Sequence, residues 1–378
     1  MKSHALVYTV SALLVAFGMA RTAEAQVPRD IESSLRKIGQ IVDPACTAKL
    51  YRPLMPKNDY NTYWPVGAAA PAKLTEPLYP GVSIARDIPF GPNPQDLADI
   101  FSPEKGGGNR TVLIYVPGGA GNKIEQQARE ANAFYDNIGR WAVKNGMVGV
   151  TMQRHPIQNW DDGGRDISRM IRWLQQNIAK YKGNPERMFI WAHSAGNVPL
   201  GVYIGHPELQ GPKGPGVRGA IFMSGTPVPE LGVPARGQER AIPAAFAGSG
   251  STCGGGGPTS AGGSISGPSA FSTPPARGAA PPPGAAQLDP ATLAARDNLP
   301  GFKSTNVEVL LARAELDPGV EGGMAASDIA LHDEMCKAGH CPTMLYLKDE
   351  SHMSEVFSID TPDKTVSGPI LAWIKKVK

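Results

Sequence analysis

Ser194 stands in Ala192-His193-Ser194-Ala195-Gly196, directly after the apolar run Phe189-Ile190-Trp191. A serine placed between small residues at the end of an apolar strand has the pattern of a nucleophile elbow. In such an elbow the hydroxyl sits on a strained strand-to-helix turn, and the residues two before and two after must be small enough for strand and helix to approach. Those positions are Ala192 and Gly196, so the first glycine of the strict G-x-S-x-G pattern is an alanine here. A serine hydroxyl is a poor nucleophile near neutral pH. It needs a base within hydrogen-bond reach, an acid that orients the base, and N–H donors for the oxyanion.

A candidate exists for each role. Asp317, in Ala314-Glu315-Leu316-Asp317-Pro318, lies just past a predicted strand and is the acid; Glu315 is the alternative, disfavoured by its position nearer the strand. His352, in Asp349-Glu350-Ser351-His352-Met353, lies in the loop after the last predicted strand and is the base. The oxyanion donors are expected from Gly118, Gly119 and Ala120, in the turn Pro117-Gly118-Gly119-Ala120-Gly121 after an apolar strand, together with Ala195 behind the nucleophile. The chain order Ser194, Asp317, His352 is that of α/β-hydrolases, not of chymotrypsin or subtilisin. The other histidines lack such a context. His193 is turned away from the nucleophile by strand alternation and reads as structural, and His155, His206, His332 and His340 have no matching neighbours. Asp161, Asp162 and Asp166 read as helix-capping and solvated carboxylates rather than metal ligands, and Trp160, Trp173 and Trp191 as packing residues.

The elements that must position these groups follow from periodicity. Val82 to Phe90 alternates as a half-buried strand, Gly91-Pro92-Asn93-Pro94 is a turn, and Asp96 to Phe101 returns as the second strand of a hairpin. After the hairpin the pattern becomes β, α, β, α. Strands are predicted at 111–116, 147–152, 188–191, 218–223, 307–311 and 343–347, with helices over 122–144, 166–181 and 366–376; Asp161 or Asp162 could cap the second of these. The strands are continuous apolar runs, as expected where helices cover both faces of a parallel sheet. The fold class is therefore α/β, a three-layer sandwich with a mostly parallel sheet and an antiparallel N-terminal hairpin. Open sheets of this kind place their sites beyond the C-terminal strand ends, where the three candidate residues would converge.

Residues 1–25 read as a signal peptide: Lys2 and His4 precede the apolar run Ala5 to Phe17, and Ala23 and Ala25 place small residues before a cleavage point at Gln26. The run is short for crossing a bilayer, so the mature chain is expected to be periplasmic or secreted, without stable membrane insertion. Export implies an oxidising compartment, in which Cys336 and Cys341 are the best-placed of the four cysteines to pair; Cys46 and Cys253 are the others. Residues 26–80 form an N-terminal arm with a short amphipathic helix through Ile31, Leu35, Ile38 and Ile41, and 81–378 the main domain. Within that domain 247–288 is almost wholly Gly, Pro, Ser, Ala and Thr, too poor in apolar surface to offset roughly 1–2 kcal/mol per residue of backbone ordering, and reads as a disordered insertion. A net charge of +3 with no basic run excludes nucleic acid as the expected partner. Oligomeric state is not encoded in any feature of the sequence.

Taken in register, Arg86-Asp87-Ile88-Pro89-Phe90-Gly91-Pro92, Pro117 to Gly121, Trp160 to Asp166 with Arg172-Trp173-Leu174, Asn184-Pro185-Glu186-Arg187, Ala192 to Gly196, Ala314 to Pro318 and His352-Met353-Ser354-Glu355 make the chain similar to bacterial α/β-hydrolases of the carboxylesterase/lipase type. The nearest groups are those related to feruloyl esterases and to the hormone-sensitive-lipase family. The resemblance covers roughly residues 80–376, apart from the insertion. It implies acylation of Ser194 by a small-molecule carboxylic ester, His352 and Asp317 as partners, and no metal or organic cofactor. An amide, formamide or peptide hydrolase on the same scaffold, and a non-catalytic binding protein of the same fold, are the alternatives. The chain departs from the family where Pro117 replaces the histidine of the H-G-G-G turn and where Ala192 replaces the first elbow glycine.

Overall fold

The computed structural model describes residues 27–38, 44–55, 79–118, 133–154, 159–228, 231, 290–317 and 324–378. The segments 1–25 and 247–288, together with Gly119, Ala120, Cys253 and the side chain of Cys46, lie outside the described residues.

Eight strands form one sheet: β1 (Val82–Pro89), β2 (Leu97–Pro103), β3 (Arg110–Val116), β4 (Val148–Met152), β5 (Gly183–His193), β6 (Gly219–Met223), β7 (Glu308–Leu316) and β8 (Thr343–Ser351), in the order β1-β2-β4-β3-β5-β6-β7-β8. The β1–β2 and β2–β4 pairings are antiparallel and the rest parallel, so the hairpin sits at one edge as its alternation predicts. The β1–β2 pairing shifts between Ala85 and Ile88, which leaves Asp87 exposed and Arg86 half-buried. There Arg86 spans Asp99 of β2 and Asp136 of the helix α3 (Ala133–Lys144), at 2.9 and 2.6 Å.

Alternate residues of each central strand enter different cores. Val112, Ile114, Ile190, Ala192, Ala220, Phe222, Val309 and Leu311 pack with α4 (Asp162–Asn177) and α5 (Asn197–Gly205) on one face. Leu113, Tyr115, Phe189, Trp191, Ile221, Met223, Leu310 and Ala312 pack on the other with α3 and the C-terminal helix Ser367–Lys376. Both faces are covered, which is why these strands carry apolar residues at every position. Two N-terminal helices, α1 (Arg29–Ile38) and α2 (Pro44–Tyr51), belong to this second layer, burying Ile31, Leu35, Ala48 and Tyr51 in its core.

One local expectation differs in detail. Helix α4 starts at Asp162 with Asp161 at the N-cap position, as expected, but the Asp161 side chain makes no capping bond: it pairs with Arg165, while Asp162 accepts the Asn159 N–H at 2.6 Å. Of the helix expected over 122–144, the described part is Ala133–Lys144. Cys336, in the helix Met324–Lys337, is bonded to Cys341 before β8, as the spacing predicts.

Candidate active site

β5 ends at His193, and a single 3-10 turn, Ser194–Gly196, leads into α5. Ser194 takes a φ of +53°, a left-handed conformation costing a non-glycine residue roughly 1–3 kcal/mol. Neighbouring residues hold it there. Asn197 donates through Nδ2 to the Ser194 carbonyl at 2.7 Å and to the Met223 carbonyl at 2.9 Å, tying the elbow to the end of β6. A methyl on Gly196 would lie 2.6 Å from the Val116 carbonyl oxygen and 2.8 Å from that of Pro117, so only glycine lets the turn pass β3. Ala192, two residues before the serine, is paired with Val116 and Phe222 and fully buried in the core, where its methyl is accommodated.

The three side chains, far apart in sequence, meet beyond the ends of β5, β7 and β8. Ser194 Oγ lies 2.8 Å from His352 Nε2, and His352 Nδ1 lies 3.3 Å from Asp317 Oδ2. With Nδ1–H donating to the carboxylate, Nε2 is left to accept the serine proton. Asp317 is fully buried and His352 nearly so. Glu315 is engaged elsewhere. Its carboxylate accepts the Asp349 N–H at 2.8 Å and pairs with Arg36 of α1, on the outer side of β7. The pairing of β7 with β8 shifts between Ala314 and Leu316, so strand position alone does not give the direction of the residues that follow.

Gly118 follows β3 and lies against the nucleophile: a methyl there would sit 2.8 Å from Ser194 Cβ and 3.0 Å from the His193 carbonyl oxygen. Ala195 follows Ser194 in the elbow turn. The buried Arg154, just past β4, donates from Nε to the Pro117 carbonyl at 2.7 Å and from Nη2 toward that of Gly118 at 3.4 Å. Burial pushes its guanidinium down to about 10. The turn's carbonyls are thus drawn to one side by a cation.

Three further carboxyls in this part of the chain are buried. Glu355, fully buried, accepts the Ser224 hydroxyl at 2.8 Å, and burial, then the charge of Asp317, holds its pKa well above the usual carboxylate range. Burial likewise raises Glu350 to about 8 and Asp328 to about 7, the latter opposed by Arg313 at 3.2 Å. Ligand atoms of His193, His352 and Glu355 lie within 4.8 Å of one another, but both nitrogens of His352 are engaged by Asp317 and Ser194. The cluster therefore shares His352 with the Ser194–His352–Asp317 arrangement. Asp161, Asp162 and Asp166 pair with Arg165, Asn159 and Arg169 respectively. Sequence reasoning missed Asn197 and Arg154, whose partners are backbone carbonyls, and took His193 only as structural.

Residues 98–199, from β2 into the elbow helix, match the BD-FAE family model. Over 115 residues the chain is 36% identical to Esterase LipQ of Mycobacterium tuberculosis, spanning 29% of this chain and 26% of that protein. It is 32% identical over 131 residues to Cocaine esterase of Homo sapiens, spanning 32% of this chain and 21% of that one. The chain thus spans about a quarter of the length of these curated relatives. The solved structure of Esterase B from Lactobacillus Rhamnosis superposes with a TM-score of 0.52 at 12% identity, covering 93% of this chain and 96% of that one, a likeness of fold. The resemblance to the carboxylesterase/lipase family drawn from the motifs is borne out, and so is the α/β-hydrolase sandwich.

Proposed function

We propose that the protein is an exported serine hydrolase that cleaves small-molecule carboxylic esters through an acyl-enzyme on Ser194. The observation that carries this reading is the 2.8 Å approach of Ser194 Oγ to His352 Nε2, with Asp317 behind the imidazole. Ser194 Oγ attacks the ester carbonyl carbon while its proton passes to His352 Nε2, and the imidazolium is held by Asp317. The tetrahedral oxyanion is received by backbone N–H groups of the turn at Gly118, Gly119 and Ala120 and of Ala195. Collapse expels the alcohol, which takes the proton from His352. Water, deprotonated by the same nitrogen, then releases the acid and restores the serine. The esterase relatives support the ester as substrate class.

Export is supported by the sequence of residues 1–25 and by the Cys336–Cys341 disulfide, a bond that persists in oxidising compartments. The mature chain from periplasm or medium is expected to begin at Gln26 on N-terminal sequencing. The test of the chemistry is hydrolysis of a panel of p-nitrophenyl and aryl esters beside the matching amides. Esters are expected to turn over faster, and Ser194→Ala to lower kcat about 10⁶-fold. Near-wild-type turnover by Ser194→Ala would refute the acyl-enzyme, and faster amide cleavage would move the protein to the amidase class.

A further inference from the structure

His193 ends β5 one residue before the nucleophile and is 2% exposed. Strand alternation turns its ring away from Ser194 Oγ, and that same turn brings it to the loop carrying the base. Its Nε2 lies 2.8 Å from the carbonyl oxygen of His352, and the two imidazole centroids are 4.8 Å apart at 43°. A backbone carbonyl only accepts, so Nε2 carries the hydrogen and donates it. The opposite edge of the ring faces the turn after β3, where a methyl built on Gly118 would lie 3.2 Å from His193 Nδ1. One side chain therefore touches the base loop and the turn beside the nucleophile, while its own backbone leads into Ser194.

We propose that His193 is a positioning residue for acyl transfer: its Nε2–H fixes the His352 carbonyl, and through it the aim of the catalytic imidazole, while its other edge sets the distance to Gly118. This role rests on the esterase reading. Two observations fit it. Burial, and next the neighbouring His352, push the His193 imidazole down to about 3, so the ring stays neutral and adds no charge beside the imidazolium formed on His352. Glu355 Oε2 stands 3.6 Å from the same Nε2, and the Glu355 carboxyl is anchored by the Ser224 hydroxyl. A carboxyl fixed to the end of β6 thus stands beside the donor.

The test compares His193→Gln with His193→Asn in the full chain. A glutamine amide reaches the position of Nε2, and an asparagine amide, one methylene shorter, does not. With p-nitrophenyl butyrate, kcat of the Gln variant is expected within about tenfold of wild type, the scale of one altered hydrogen bond. The Asn variant is expected to lose about 10²-fold in kcat with little change in KM, the scale of a misaimed base. The downfield proton resonance of the His352–Asp317 hydrogen bond should persist in the Gln variant and broaden in the Asn variant. Should the Asn variant fail to fold, His193→Leu, which fills the space without a donor, replaces it. Equal kcat in the two variants, whether high or low, overturns the role. If wild type neither hydrolyses the ester nor is labelled at Ser194 by a fluorophosphonate, the esterase reading fails and this role with it. An active wild type beside an unimpaired Asn variant overturns this role alone.

Discussion

The two sides of the site are held by opposite means. Beyond β7 and β8, side chains do the holding: the Ser351 N–H donates to Ser354 Oγ at 2.7 Å, the Ser354 N–H to Ser351 Oγ at 3.3 Å, and the Ser354 hydroxyl to Glu350. The N-terminal helices join from outside, Tyr51 donating to Asp363 at 3.1 Å and Arg36 spanning Glu315 and Asp349. Beyond β3 and β5, the decisive feature is missing side chains. Gly118 and Gly196 allow backbone to meet backbone, and Arg154 and Asn197 donate to backbone carbonyls. The base side should therefore fail when atoms are removed, and the oxyanion side when atoms are added.

The largest effect belongs to the base side. Asp317→Asn keeps the shape but lets the amide favour the wrong imidazole tautomer, and kcat should fall about 10⁴-fold with the fold intact by circular dichroism. A loss of less than tenfold would show that another carboxyl orients His352. On the opposite side, Gly118→Ala adds one methyl that would sit 2.8 Å from Ser194 Cβ. Turn or nucleophile must shift, and kcat should fall on the order of 10²- to 10³-fold, the cost of losing one oxyanion donor. A Gly118→Ala variant with wild-type kcat would show that this turn has room to spare, removing the contrast between the sides.

The contrast also sorts what was legible in the sequence. Ser194 could be read because it stands at the end of an apolar run, His352 because it lies in the loop after the last predicted strand, and the central strands because two covered faces leave no polar position. Asp317 could be separated from Glu315 only by place, because the shift in β7–β8 pairing has no residue signature and the partner of Glu315 is Arg36, 279 positions away. Arg154, Asn197 and His193 grip carbonyl oxygens, which every residue possesses, so no spacing in the chain announces them. The tie from Tyr51 to Asp363 crosses 312 residues, and nothing local to either residue implies it.

A smaller effect tests whether the base side depends on a carboxyl kept neutral. Glu350 is fully buried, and burial, then the charge of Asp363, raises it from 4.5 to about 8. Between those values the folded chain keeps a proton that the unfolded chain has released. Its stabilising contribution is complete at low pH and is lost as pH rises through the window, by at most about 1 kcal/mol per pH unit. Glu350→Gln removes that dependence, so its thermal melting temperature should change less than that of wild type between about pH 5 and about pH 8. Asp328, raised to about 7, leaves a residual slope of the same sign. A Gln variant that melts with the wild-type pH slope would mean that Glu350 is already ionised inside the fold.

The smallest effect separates the two ties made by the N-terminal helices. Arg36 is 42% exposed in its side chain, so its pairs with Glu315 and Asp349 are screened by solvent and salt. Tyr51 is fully buried, and removing its hydroxyl leaves Asp363 Oδ2 short of a donor. Tyr51→Phe should cost about 1–3 kcal/mol in urea unfolding, the penalty of an unsatisfied buried acceptor. Arg36→Ala should cost less than about 1 kcal/mol, shrinking further in high salt, with kcat unchanged. If the two costs come out equal, or Arg36→Ala is the larger, the hold on the base loop lies at the exposed ion pairs of β7 and β8 rather than in the buried network beneath His352.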